Sequence, residues 1–263
     1  MTTTMRLAAP RVRLRSVTGI WMRHFVALLR VWRVAMTWFL IEPAFILLAV
    51  GFGIGRIVGD FDEAVPYAVF VTPGIIIGSA MFHALFECSW NSYHRIDNRL
   101  YETMLTTPLS VSEMAIGEIL WATTRALITT VTVGIFAAAL GWLDSWTSLG
   151  VLLAAIFIGV QFGAMGLIFA ALAPNTHSLS LVFTVVATPL YFFSGAFFPI
   201  SVLPEWAQPF AWAAPLTPGV HLARGFVMGS LDITHLWSVL YMIGLTAVIY
   251  PVAVHLLKRR LIK

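Results

Sequence analysis

Six long apolar runs limit what this chain can fold into more than any other feature of its sequence. Each run can cross about 30 Å of hydrocarbon as a helix, because a helix rises about 1.5 Å per residue. The runs are apolar on every face, whereas the strands of a membrane barrel alternate apolar and polar residues. The runs are residues 38–58, 65–86, 126–143, 149–173, 179–198 and 236–257. The sequence therefore predicts an all-α membrane protein with six transmembrane helices.

The composition agrees with this class. Of the 263 residues, 59% are hydrophobic and only 11% are charged, whereas a soluble domain has about 25% charged residues. A soluble enzyme, a disordered chain and a secreted disulfide scaffold are therefore disfavoured. The single cysteine, Cys88, cannot form an internal disulfide. Six spans leave no room for a large soluble catalytic domain.

The basic residues predict the orientation of the chain in the membrane. With six spans, both termini lie on one side, and fourteen of the sixteen basic residues fall on that side, leaving only Arg56 and Arg224 on the other. The fourteen are Arg6, Arg11, Arg13, Arg15, Arg23, Arg30, Arg33, Arg95, Arg99, Arg125, Lys258, Arg259, Arg260 and Lys263. The positive-inside rule then places both termini in the cytoplasm. We interpret this charge as a topology signal and an attraction to anionic lipids, not as a nucleic-acid site.

An amphipathic helix is predicted before the first span, over residues 17–34. At 100° per residue, Ile20 and Trp21 fall on one arc and Arg23 on the opposite arc. Such a helix lies at the membrane interface. It acts either as a simple anchor or also as a contact for a cytoplasmic partner. The chain thus divides into a basic tail with this helix, residues 1–37, and a six-helix transmembrane domain, residues 38–263.

The cytoplasmic segment between spans two and three has clear helix start and stop signals over residues 98–114, which we call the elbow. Residues 98–105 can form a short helix, which Pro108 ends by restricting the residue before it. Ser110 and Glu113 then form a capping box, S-x-x-E, that opens the next helix. A plain loop would not need these signals. A short helix that docks in a groove of another protein would need them.

The proline-rich stretch after the fifth run cannot be an ordinary span. Each internal proline removes a backbone hydrogen bond, and in lipid the freed carbonyl has no water to bond. We therefore predict two short helices, either at the interface or folded back into the membrane. The prolines are Pro199, Pro204, Pro209, Pro215 and Pro218.

The sequence carries no motif for chemistry of its own. It has no G-x-x-x-x-G-K-[ST] phosphate loop, and its seven histidines form no metal-binding spacing. No intramembrane pair of acids and no histidine cluster is apparent from the sequence, so a membrane-embedded enzyme lacks support. Glu42 is the one acid within a predicted span, and it either contacts cargo or caps the helix beside Pro43.

Several motifs together resemble the type-2 permease family of ABC exporters over essentially the whole chain. They are L-Y-E-T-M-L-T-T-P-L-S in the elbow, S-G-A-F-F-P-I-S-V-L-P-E-W after the fifth run, and P-L-T-P-G at residues 215–219. M-L-T-T-P-L-S, G-E-I-L-W-A-T-T-R-A, L-A-P-N and the tail L-K-R-R-L-I-K look most similar to the nodulation-protein J branch, which is linked to lipooligosaccharide export.

This resemblance implies a permease subunit in the bacterial cytoplasmic (inner) membrane. Two copies would pair with two separate ATP-binding cassette subunits, which hold ATP and Mg, so that this chain is not an enzyme and binds no cofactor or metal. The implied cargo is amphiphilic: a lipooligosaccharide, a polysaccharide, a lipid or a drug-like molecule. Membrane lipids are further partners. The alternatives are an ATP-independent membrane scaffold or assembly factor, and a membrane-embedded enzyme.

The resemblance also implies roles for particular residues. The elbow becomes the coupling helix seated on the ATPase, and the segment after the fifth run becomes an extracytoplasmic exit gate with re-entrant helices. The coupling residues are Arg99, Tyr101, Glu102, Leu105, Thr107, Pro108 and Leu109. The exit-gate residues are Ser194, Gly195, Phe197, Phe198 and Pro199. The residues themselves suggest candidate cargo contacts at Glu42, Tyr191, Phe192, Phe193 and Arg224. For Arg224 the alternative is a structural partnership with Glu205 or with a helix C-terminus.

Overall fold

A computed structural model describes residues 13–58, 60–62 and 65–262. The predicted basic tail up to residue 12, and Lys263, lie outside the described residues. The helices are α1 Leu14–Arg30, α2 Trp32–Ile57, α3 Tyr67–Asp97, α4 Leu100–Leu105, α5 Val111–Ala139, α6 Trp146–Leu172, α7 Thr176–Phe193, α8 Gln208–Ala213, α9 Thr217–Met228 and α10 Ile233–Leu261. Two short strands, β1 Asp60–Asp62 and β2 Val65–Pro66, pair antiparallel between α2 and α3.

Six of the helices are long and apolar enough to cross a membrane: α2, α3, α5, α6, α7 and α10. The all-α membrane fold is thus confirmed, with one span for each apolar run. The largest difference in boundary is in the third span, which was predicted over residues 126–143. The helix begins at Val111 and ends at Ala139. Hydropathy places the start too late because the first four turns carry charged side chains that are buried by tertiary contacts.

The helices α3, α5 and α6 form the centre of the bundle. Two glycines of α6 allow this close packing, as small residues do at membrane helix interfaces. A Cβ at Gly159 would lie 2.7 Å from Thr123 Cα of α5, and one at Gly166 would lie 2.8 Å from Cys88 Cβ of α3. By contrast, α2, α7 and α10 are mostly exposed. Their outer faces are therefore left for lipid or for another chain.

Three of the spans contain a π-helical turn, at Ala49–Ile54, Glu87–Asn91 and Val182–Ala187. A π-turn adds one residue to a helical turn and rotates the side chains that follow it. The turn in α3 places Glu87 in the protein interior, where its side chain is 1% exposed. The π-turn therefore helps to position a charged residue inside the bundle.

The interfacial helix α1 ends earlier than predicted. Val31 leaves helical geometry, with φ −121° and ψ 20°, and α2 begins directly afterwards at Trp32. The predicted helix over residues 17–34 therefore crosses this break, because the apolar side chains continue through it without a change in pattern. The buried face of α1 consists of Val17, Ile20 and His24.

The chain turns sharply after α7. Gly195 has φ 79°, the left-handed conformation that glycine adopts without strain. A 3₁₀ turn at Ile200–Val202 and the helices α8 and α9 follow before α10. The two short helices agree in number with the sequence prediction. Their insertion into the membrane as re-entrant helices stays a prediction.

Candidate functional site

The elbow presents a short helix whose exposed side faces away from the bundle. Arg99 precedes α4 in a left-handed conformation, with φ 56°, and so turns the chain out of α3. Arg99, Glu102, Thr107 and Pro108 are exposed. Leu105 and Leu109 are half-buried and pack against the core. The predicted coupling residues thus divide into an exposed polar surface and an apolar base.

Tyr101 anchors the elbow to the bundle. Its side chain is fully buried, and its hydroxyl donates a hydrogen bond to Ser92 Oγ at 3.1 Å. Burial raises the pKa of the Tyr101 hydroxyl well above its ordinary value of 10, and the nearby Glu118 carboxylate raises it further. The group therefore stays protonated as a donor. A displacement of α4 must move Tyr101, and with it the end of α3.

The predicted capping box at the start of α5 is present. Ser110 Oγ accepts from the Glu113 backbone N–H at 3.2 Å, and the Glu113 carboxylate accepts from the Ser110 backbone N–H at 2.8 Å. Glu113 also accepts from the Arg13 backbone N–H at 2.6 Å. This cap therefore joins the elbow to the segment that opens α1.

A cluster of buried charges lies directly behind the elbow. We call it the ion-pair cluster, and it consists of Arg23, His24, Glu87, Arg95, Glu118 and Arg125. Arg95 bridges both carboxylates, with its Nη2 2.5 Å from Glu87 and its Nη1 2.7 Å from Glu118. Arg125 pairs with Glu87. His24 and Arg23 lie 3.1 Å and 3.3 Å from Glu118.

The ion-pair cluster connects three helices and the elbow. Arg23 and His24 come from α1, Glu87 and Arg95 from α3, and Glu118 and Arg125 from α5. Arg23 Nη1 also donates to Met104 Sδ of α4 at 3.0 Å. Because a buried charge without a partner is strongly destabilising, these contacts hold the four elements in one arrangement.

The ion-pair cluster corrects two conclusions from the sequence. An acid pair is present inside the bundle, since Glu87 and Glu118 are 1% and 0% exposed. The sequence assigned both acids to the cytoplasmic segment, because they flank the apolar runs. Arg23 contacts Glu118 and Met104 on the side of α1 that faces the protein, although the sequence analysis assigned it to the arc opposite the apolar one. Positions three residues apart are neighbours on a helix surface, so Arg23 lies beside the buried Ile20. The attraction of Glu118 draws the guanidinium inward.

Metal binding at this position is disfavoured by charge. His24, Glu87 and Glu118 each offer one ligand atom, and these atoms lie within 4.8 Å of one another. Arg95 and Arg125, however, already pair with the carboxylates, and three guanidinium groups would repel a divalent cation. We therefore assign these residues to ion pairing.

A shallow groove of about 640 Å³ lies beside the elbow, between α4, the start of α5 and the end of α10. Glu102, Leu105 and Leu109 line one side, and Lys258 and Leu261 line the other. The groove offers charges of both signs around an apolar floor, which suits docking of a complementary protein surface.

A cavity of about 280 Å³ lies between α2, α3 and α7 and contains two of the predicted cargo residues, Glu42 and Tyr191. Its walls are mainly aromatic and include Trp38 and Phe82. His83 Nε2 and the Tyr191 hydroxyl are buried without a hydrogen-bond partner among the described residues. The structure thus brings Glu42 and Tyr191 together. Sequence analysis did not identify His83, which has no distinguishing local pattern.

The other predicted cargo residues lie outside this cavity. Phe192 and Phe193 are 48% and 52% exposed on α7. Arg224 of α9 is at the turn that follows α7, where its guanidinium donates to the Gly195 carbonyl at 2.7 Å and lies 3.9 Å from the centre of the Phe70 ring. Its contacts are therefore those of a residue that fixes the turn.

The predicted exit-gate residues form this turn. Ser194 Oγ donates to the Tyr191 carbonyl at 2.9 Å, and the Phe197 carbonyl accepts from the Tyr67 hydroxyl at 3.0 Å. The Phe197 ring stacks on Phe192 at 5.1 Å between ring centroids. Phe198 is half-buried, and Pro199 precedes the 3₁₀ turn. Among the described residues, this turn is thus held by Tyr67 and Arg224, which sequence analysis did not connect to it.

Six apolar spans, an exposed elbow helix and a mainly aromatic cavity among the helices define a polytopic membrane protein. The sequence matches the ABC-2 type transporter family over residues 15–228, and the chain belongs to that family. It is 34% identical to nodulation protein J of Rhizobium leguminosarum bv. trifolii over 80% of each chain. It is 31% identical to nodulation protein J of Neorhizobium galegae over 92% of this chain and 93% of the relative.

A further relative is the inner membrane transport permease YadH of Escherichia coli (strain K12), 26% identical over 83% of this chain and 84% of the relative. The family and these relatives identify the chain as a multi-pass membrane permease component rather than an enzyme. ATP hydrolysis resides on a separate ATP-binding cassette partner with which the permease associates.

Proposed function

We propose that this chain is the transmembrane subunit of an ATP-driven exporter in a bacterial inner membrane. Two copies pair with two ATP-binding cassette subunits, which bind ATP and Mg, and both termini of the chain face the cytoplasm. The observation that carries the proposal is the exposed elbow, anchored through Tyr101 next to the ion-pair cluster. Such an arrangement is suited to receive a force at the membrane surface.

The coupling step follows from these contacts. The ATPase binds the exposed residues Arg99, Glu102, Thr107 and Pro108 and the adjoining groove. When the ATPase changes conformation, α4 moves and carries Tyr101 with it. Because Tyr101 bonds to Ser92 near Arg95, the movement shifts the ion-pair cluster and so changes how α3 and α5 pack.

The cavity between α2, α3 and α7 is proposed as part of the cargo path. Aromatic walls favour sugar rings and acyl chains, while Glu42, His83 and Tyr191 supply hydrogen-bonding groups. This mixture favours an amphiphile over a small ion. Within this class we favour a lipooligosaccharide, the cargo that the resemblance to the nodulation-protein J branch implies. Phe197 and Phe198 would narrow the far end of the path, where aromatic rings can exclude water.

A charge reversal at the elbow tests the docking role. We expect Glu102→Lys to insert normally in the membrane but to lose co-purification with the ATP-binding cassette subunit and ATP-dependent export. Glu205→Lys is the matched control, because Glu205 is also an exposed acid but lies near α8, outside the elbow.

Export is measured as uptake of a labelled lipooligosaccharide into inverted membrane vesicles. ATP-dependent uptake by the parent chain is expected, whereas uptake that is independent of ATP would favour the membrane scaffold instead. Unchanged docking and uptake in Glu102→Lys would contradict the coupling role of the elbow.

A further inference from the structure

A second cavity lies away from the elbow and from the proposed cargo path. It has a volume of about 350 Å³ and is bounded by α3, the far half of α5, the following loop and the start of α6. Ile76 and Thr130 line its inner end, and Asp144 and Trp146 lie on the loop at its mouth. We call it the lateral pocket. By chain order it is at the membrane surface opposite the termini.

The lateral pocket faces the lipid rather than the centre of the bundle. Ile135, which lines it, is 66% exposed, and Trp146 is 88% exposed. Tryptophan is enriched where membrane helices meet the head-group region. The opening therefore lies where a lipid of the adjoining leaflet can enter with its head group towards water.

Two buried hydroxyl groups that line the lateral pocket need a hydrogen-bond partner from its occupant. Thr130 is 3% exposed, and its Oγ1 has no hydrogen-bond partner among the described residues. The Oγ of Ser148 is also buried and also has no hydrogen-bond partner within the part of the chain that the structure describes. A threonine in a helix commonly bonds the carbonyl four residues earlier. A pure hydrocarbon would leave both groups unsatisfied, which is unfavourable away from water.

The occupant must therefore combine a chain of methylene groups with oxygen acceptors. A glycerophospholipid has both, since its ester carbonyls join the acyl chain to the head group. Asp144 is an exposed carboxylate at the mouth and favours a head group that carries a positive amine. The volume is also within the range of about 300–1,000 Å³ that is usual for ligand sites.

We propose that the lateral pocket binds one acyl chain of an amine-bearing phospholipid, such as phosphatidylethanolamine, with the head group beside Asp144. The ester oxygens accept hydrogen bonds from Ser148 or Thr130. The bound lipid then forms part of the contact between α5 and α6 at this end of the bundle. This inference does not depend on the direction of transport or on its cargo.

A glycine within the lateral pocket allows the pocket to be filled. A Cβ at Gly134 meets no atom within 4 Å, so Gly134→Leu extends into the cavity without a clash with the backbone. Gly244→Leu is the matched control, because a Cβ at Gly244 of α10 also meets no atom within 4 Å. Both variants add the same side chain to a membrane-spanning helix, but only the first fills the lateral pocket.

The test is photo-crosslinking of the full chain in vesicles that contain phosphatidylethanolamine with a diazirine in its acyl chain. We expect label concentrated on peptides that contain Gly134 and Val151. It should fall several-fold in Gly134→Leu and stay unchanged in Gly244→Leu. Label spread evenly over all exposed spans of the parent chain would mean bulk lipid contact only and would overturn the proposal, whether or not Gly134→Leu folds.

The head-group preference has its own test. Phosphatidylglycerol carrying the same diazirine should label the lateral pocket several-fold less than phosphatidylethanolamine does. We expect Asp144→Asn to remove this difference, and Glu205→Gln, which neutralises another exposed acid, to keep it. A difference that persists in Asp144→Asn would refute the role of Asp144 in head-group selection.

Discussion

Arg95 is the residue on which the packing behind the elbow most depends. It bonds Glu87 and Glu118 at the same time, and both carboxylates are buried. The planar guanidinium makes this possible because it presents several donors in a fixed geometry. Glu87 keeps Arg125 as a second partner, and Glu118 keeps His24 and Arg23. Each acid thus has more than one partner, but among the described residues only Arg95 pairs with both acids.

Replacing Arg95 with methionine should destabilise the protein by about 3 kcal/mol, the lower end of the range for breaking a buried ion pair. The measurement is the midpoint of thermal unfolding in detergent. Arg99→Met is the control, since Arg99 is exposed and lies outside the ion-pair cluster. Equal midpoints for the two variants would show that Arg95 adds nothing to stability.

Contacts between individual residues could be predicted from the sequence where the two residues lie close together in the chain. Ser110 and Glu113 are three residues apart, and their capping box was identified correctly. Glu87 and Glu118 are 31 residues apart and are joined only by Arg95 after folding. No periodicity links such positions, so a single sequence gave no signal for the ion-pair cluster.

At the scale of elements, apolar length predicted each span, but the ends of the spans depended on tertiary contacts. The capping box predicted the start of α5, but the apolar run of the third span begins fifteen residues later, because Glu118 and Arg125 look unfavourable in a span until their partners are known. The turn after α7 was expected from its prolines and glycine. Its attachment to Arg224 was not, since that contact joins residues 29 apart.

Arg224→Lys tests how the turn after α7 is held. Lysine keeps the charge but loses the planar group that contacts both the Gly195 carbonyl and the Phe70 ring. We expect greater passive leak of a small fluorescent solute from reconstituted vesicles, because the gate segment is less firmly positioned. Arg56→Lys, at an exposed site on α2, should leave the leak unchanged. Equal leak in both would argue against a gating role for the turn.

At the scale of the whole molecule, six spans and the distribution of basic residues together determine the expected topology. Three of the basic residues that predict this topology make contacts inside the protein. Arg95 and Arg125 pair with buried acids, and Arg260 donates a hydrogen bond to the Ala171 carbonyl at 2.9 Å. They nevertheless lie at the same end of the bundle as Arg13 and Ile262, the first and last described residues. The orientation therefore still rests on a strong excess of positive charge.

Reporter fusions test this topology. A reporter that is active only in the cytoplasm should give a signal after Lys263 and none within residues 144–148, because those two positions are on opposite sides of a six-span protein. Expression of both fusions is compared by immunoblot. A signal from the second position alone would reverse the orientation.

The coupling ratio, cargo exported per ATP hydrolysed, tests most directly whether force passes from the elbow through the ion-pair cluster. It is measured in vesicles that contain the permease and its ATP-binding cassette partner, with Arg95→Lys compared with Arg56→Lys, a change at an exposed arginine outside the elbow and the ion-pair cluster. We expect Arg95→Lys to keep ATPase docking but to lower the ratio several-fold, because a single ammonium group cannot bridge Glu87 and Glu118 as guanidinium does. Arg56→Lys should keep the parental ratio. An unchanged ratio in well-expressed Arg95→Lys would contradict the proposed coupling route.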